Sequence, residues 1–83
     1  MDERAQEIER VYRERYVGFR NTLAAVTGSY ESARDAVQEA FARALRDRAS
    51  FRVEGSLEAW IFRIALRAAL EKRRNGREVP LHD

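Results

Sequence analysis

A chain of 83 residues has room for one small domain, since domains usually run to roughly 100 residues and seldom fall below about 50. With no Cys and a single His near the end, His82, it has no disulfide framework, no thiolate or histidine metal cluster and no nucleophile–base–orienter set for catalysis. Sixteen Lys+Arg against fourteen Asp+Glu leave a net charge of only +2, so any affinity for a polyanion must come from how charge is placed.

The longest run without a charged residue, Asn21 to Tyr30, is about half of the ~20 apolar residues a membrane span needs, and Thr and Gly interrupt it. Met1-Asp2-Glu3-Arg4 opens onto more charge rather than an apolar signal core. The chain reads as a cytoplasmic protein with no membrane insertion, no metal and no cofactor.

In chain order, Ile8, Val11, Tyr12, Phe19, Leu23 and Val26 share one side of a 3.6-residue period and predict a helix from about Glu3 to Val26, with Val17-Gly18 as its weak point. Thr27-Gly28-Ser29 ends it: Gly28 is the expected C-terminal stop, and Ser29 or Ser32 the next N-cap. A second helix, roughly Tyr30 to Arg48, puts Ala33, Ala36, Val37, Ala40, Phe41, Ala44 and Leu45 on one stripe. Asp35, Gln38, Glu39, Ala42 and Arg46 face the other way. Ala49 to Gly55 is a loop, and Ser56 caps a third helix through about Arg74. Asn75-Gly76 and Pro80 mark a tail, giving a domain over 1–75 and a tail or linker start over 76–83. No strand pattern or internal repeat occurs, so the fold class is all-α, a compact three-helix domain.

The third helix has two apolar faces, one of Leu57, Trp60, Ile61, Ile64, Ala65 and Ala68, the other of Phe62, Leu66 and Ala69. Such a helix is either sandwiched between neighbours or awaits a partner. Arg63, Arg67 and Arg74 share the remaining direction, within about 40° at ~100° per residue. Charge balances over residues 1–50, whereas within residues 60–77 Arg63, Arg67, Lys72, Arg73, Arg74 and Arg77 face Glu71 alone. Cations crowded at one end suit nucleic acid or an acidic membrane surface, and equally a solvated helix terminus. The loop Phe51-Arg52-Val53-Glu54-Gly55-Ser56 sets an aromatic and a cation beside that helix. Such a pair can stack an unstacked base, but Phe51 could equally plug the core and Arg52 stay solvated.

Asp35-Ala36-Val37-Gln38-Glu39-Ala40-Phe41, Ala44-Leu45, Ser50-Phe51-Arg52, Gly55-Ser56-Leu57 and Ala59-Trp60-Ile61-Phe62-Arg63-Ile64-Ala65 follow in the order and spacing of extracytoplasmic-function (ECF) sigma factors. Over residues 8–74 the chain resembles the first domain of that family, which binds core RNA polymerase and the −10 promoter element. The resemblance implies a non-enzymatic transcription initiation factor. It implies that Asp35, Gln38, Glu39 and Ala42 dock on the clamp helices of the polymerase largest subunit. The loop bearing Phe51, Arg52, Gly55 and Ser56 would capture a base flipped from the non-template strand. Arg43, Arg52, Arg63, Arg67, Lys72, Arg73 and Arg74 would hold promoter DNA, and an anti-sigma factor is a further expected partner.

Two departures bear on this. Many relatives carry Asn where this chain has Arg67, and a following Asp where it has Glu71; Arg only donates and grips phosphate more readily than it reads a base edge. No second helix-turn-helix domain follows before Asp83, so the chain reads as an excised domain or a short homologue. The alternative reading is a protein-interaction module of sigma origin that binds polymerase or an anti-sigma factor without reading a promoter. A duplex-reading third helix is disfavoured, because its two apolar faces leave little surface for a groove.

Overall fold

The computed structural model describes residues 2–52 and 55–78 of the chain, the last three by backbone alone. Helix α1 (Glu3–Thr27) starts where the Asp2 carboxylate accepts the Ala5 N–H at 2.7 Å, meeting one of the donors a helix start leaves orphaned. It stops at Gly28, whose φ of 78° is left-handed and whose N–H returns to the Ala24 carbonyl at 2.7 Å. Ser29 caps α2 (Tyr30–Arg46) by accepting the Ser32 N–H at 3.1 Å. A single 3-10 turn, Arg48–Ser50, leads out of it. Ser56 then caps α3 (Leu57–Glu78) by accepting the Ala59 N–H at 2.9 Å.

Helix α1 keeps the expected span and runs unbroken through its weak point, Val17-Gly18. Helix α3 differs from the expectation: it continues through Asn75-Gly76 to Glu78 rather than stopping near Arg74. A single interior glycine costs about 1 kcal/mol, too little to break a long helix that is anchored elsewhere. Residues 79–83, with Pro80 and His82, lie outside the described residues.

The helices run up, down and up. Asp2 pairs with Arg48 and Tyr12 meets Gln38 and Phe41, so α1 and α2 are antiparallel. Arg15 pairs with Glu58 and Phe19 packs on Phe62, so α3 runs parallel to α1. The inner stripe of α2 is short-chained: Ala33, Ala36, Val37, Ala40 and Ala44 are all fully buried, which lets both neighbours approach closely. Larger groups fill the space above it. Phe19 stands between Phe41 (6.2 Å between ring centres) and Phe62 (5.0 Å, edge to face), with Ile8, Leu23 and Ile61 sealed beneath. No polar or charged side chain is buried among the described residues. The two-faced α3 is therefore sandwiched: Ile61, Ala65, Ala68 and Ala69 are buried, while Trp60, Phe62, Ile64 and Leu66 are half-buried flanks.

Candidate nucleic-acid interface

Phe51 neither plugs the core nor stands free. Its ring is half-buried, 5.2 Å from the Trp60 ring on one side, with the Arg4 guanidinium 4.7 Å from its centre. Two open clefts of about 510 and 330 Å³ adjoin it. The first lies toward Asp2, Arg46 and Arg48. The second lies between Gly55-Ser56 of the loop and the first turns of α1, where Arg4, Glu7 and Arg10 stand. Gly55 has a left-handed φ of 94°, a conformation that side-chain-bearing residues seldom adopt, so glycine lets the loop turn back at this edge. Arg52 and Ser56 are exposed beside it.

The first cleft is fixed by electrostatics at the N-terminus. Asp2 accepts from the Ala5 N–H and from Arg48 Nε (2.8 Å), and these two bonds hold its carboxyl below the usual carboxylate range. The guanidinium of Arg46 does the same for Asp47 at 3.1 Å.

Along α3, Arg63, Arg67, Arg73 and Arg74 are exposed and have no ion pair among the described residues. The stripe from Arg63 to Arg74 spans about 16 Å at ~1.5 Å per residue, enough to follow several phosphates of an extended strand. Arg43 and Lys72 are placed differently. Both are half-buried and both pair with Glu39, at 3.0 and 3.8 Å, so they do not join the outward stripe.

On α2, Asp35, Gln38 and Ala42 are exposed and Glu39 is half-buried, so the polar ridge faces solvent. Gln38 Nε2 donates to the Tyr12 hydroxyl at 2.9 Å, which fixes its position. Beside it runs a shallow groove of about 440 Å³, walled by Ile8, Tyr12, Phe41, Ala42 and Leu45. Leu45, expected in the core, is 40% exposed here: it stands at the rim of this groove, across from Ala5 and Ile8 of α1, while its neighbour Ala44 takes the buried position.

Sequence reasoning missed Arg4, Glu7 and Arg10. Their i, i+3, i+6 spacing reads as a solvated helix face. Only the contact of residue 4 with residue 51, far apart in the chain, shows that they wall the loop cleft. The described residues contain no group of three or more His, Cys, Asp or Glu able to hold a metal ion, and none of their helices is long and apolar enough to cross a membrane.

The chain is a small all-α domain with an aromatic–arginine cleft, a row of arginines without ion pairs among the described residues, and a separate polar ridge. Residues 11–78 match the family described as Sigma-70 region 2. Over 58 residues the chain is 40% identical to the RNA polymerase sigma factor YlaC of Bacillus subtilis (strain 168), a stretch that covers 70% of this chain and 34% of that protein. The chain thus spans about a third of that relative's length. No solved structure matches it significantly. The chain belongs to the sigma-70 family, as a region 2 domain.

Proposed function

We propose that the domain acts in transcription initiation by docking on core RNA polymerase through Asp35, Gln38, Glu39 and Ala42 while its loop and arginines engage the opened −10 element. A helix laid along the polymerase clamp helices needs short side chains for approach and a few polar groups for register. The α2 ridge supplies both. Extruding a base from duplex DNA costs a few kcal/mol, which a pocket must recover through stacking worth about 1–3 kcal/mol and through edge hydrogen bonds. Phe51, Arg52, Gly55 and Ser56 are the groups that would receive it, with Arg63, Arg67, Arg73 and Arg74 on the phosphates. An anti-sigma factor would compete for the same α2 ridge.

The observation that carries this reading is the open cleft at Phe51, on the loop that leads into the helix whose Arg63, Arg67, Arg73 and Arg74 have no carboxylate partner among the described residues, within a region 2 match. Capture of core polymerase by the 83-residue chain, with preference for single-stranded non-template −10 DNA over duplex, tests it. Equal affinity for any DNA overturns it.

A second reading is favoured by Glu39, which neutralises Arg43 and Lys72, and by Arg67 on the reading helix. The domain would then bind polymerase or an anti-sigma factor without reading a promoter. Charge reversal at Asp35 and Glu39 would abolish partner binding, while Arg63 and Arg67 substitutions would leave function intact.

A further inference from the structure

The first turns of α1 precede the family match, which begins at residue 11, yet they form one wall of the loop cleft. Arg4 is the group in that wall that touches the aromatic: its guanidinium carbon lies 4.7 Å from the centre of the Phe51 ring. Its Nε is held by Glu7 at 3.2 Å, and the Arg4 side chain is 34% exposed. Its Nη1 is buried without any hydrogen-bond partner. A planar cation braced on an aromatic ring and held by a carboxylate resembles half of a stacking sandwich.

The remaining chemistry of the cleft selects the ligand. Glu7 and Glu58 line it and offset Arg4 and Arg10, so the cleft carries no net positive charge to draw in a phosphate. An uncharged nucleobase needs none, and its ring nitrogens and carbonyls accept from an arginine. We propose that Arg4 is the second jaw of this cleft: an unstacked base of single-stranded DNA lodges against its guanidinium, which Phe51 and Glu7 hold ready. The inference rests on the base-capture reading above and adds to it a residue outside the family match.

Trp60 is the chain's single tryptophan and packs against Phe51, so its fluorescence reports on the cleft. The test titrates the 83-residue chain with a randomised single-stranded oligodeoxynucleotide of about twelve nucleotides, within the usual site size, and with a base-free abasic strand of the same length. Arg4→Ala is expected to weaken binding of the base-bearing strand about ten-fold and that of the abasic strand hardly at all. Arg4→Lys, which keeps the charge and loses the plane, stays several-fold weak. Arg34→Ala, an exposed arginine at the opposite end of α2, loses the same charge with little effect. Thermal melts of Arg4→Ala and Arg4→Lys confirm that each is folded. If both Arg4 variants bind like wild type, or Arg4→Lys restores full affinity, while Phe51→Leu weakens binding, Arg4 is no jaw but base capture stands. If Phe51→Leu and removal of the bases both change nothing, base capture fails and the jaw with it.

Discussion

Glu39 of α2 holds Arg43 of its own helix at 3.0 Å and reaches across to Lys72 of α3 at 3.8 Å. One carboxylate on the proposed polymerase ridge thus quenches two cations that would otherwise face DNA. Glu39→Gln is expected to free both. Single-stranded DNA binding at low salt should tighten a few-fold, and the slope of log K against log salt should steepen by up to roughly 1.4, at ~0.7 per phosphate. Core polymerase binding should weaken in the same variant. Stability should change by less than about 0.5 kcal/mol, because the pairs are partly exposed. An unchanged salt slope would show that Arg43 and Lys72 are not held back.

The exposed stripe of α3 predicts a graded response. Arg63→Ala, Arg67→Ala and Arg74→Ala should each reduce the salt slope by about 0.7 if each meets one phosphate. Arg67→Ala should leave base preference unchanged, since a guanidinium that only donates to phosphate carries no sequence information. A salt titration on strands differing at single positions separates the two effects.

Gly18 and Gly28 predict opposite signs for one substitution. Gly18 is mid-helix, exposed, with nothing within 4 Å of an added Cβ, so Gly18→Ala should stabilise by about 1 kcal/mol and raise Tm by roughly 4–8 °C. Gly28 sits at a φ of 78°, where Ala is strained, so Gly28→Ala should cost about 1–2 kcal/mol. Paired thermal melts decide it.

Leu23 and Leu45 separate folding from docking. Leu23 is fully buried, and Leu23→Ala should cost about 2–5 kcal/mol, enough to unfold much of so small a domain. Leu45 is 40% exposed beside Ala42, so Leu45→Ala should cost under about 1 kcal/mol yet weaken capture of core polymerase. Urea melts and pull-downs read the two effects independently.

The lowered pKa of Asp2 predicts acid sensitivity at the N-terminus. Its carboxyl is depressed in the folded state by the Ala5 N–H and then by Arg48. Above its unfolded pKa the stabilisation is fully present. As pH falls below about 4 and on through the folded value, the unfolded chain takes up the proton first and stability is lost. Melts between pH 5 and pH 2 should show that loss, and Asp2→Asn should flatten it.

Residue pattern alone determined the three helices, the cap at Ser56, the Gly28 stop and nearly all of the core, because each rests on helical periodicity or local backbone chemistry; it left the second helix's cap open between Ser29 and Ser32, and the structure takes Ser29. The motifs of the second and third helices likewise carried the family resemblance. The same local reading erred at Gly76 and Leu45, since whether a helix continues or a leucine is covered depends on neighbours distant in the chain.

Only the tertiary structure decided which charges are free. Arg43 meets Glu39 one turn away on its own helix, a spacing the sequence shows, but only the α2–α3 contact brings Lys72 to the same carboxylate while Arg63 has no ion pair among the described residues. Likewise Arg4 meets Phe51 only because the returning chain brings the Arg48–Ser50 turn and the loop against the start of α1. Both are electrostatic or ring contacts effective over a few ångströms, set by the packing of helices against one another, and helical periodicity carries no information about such distances.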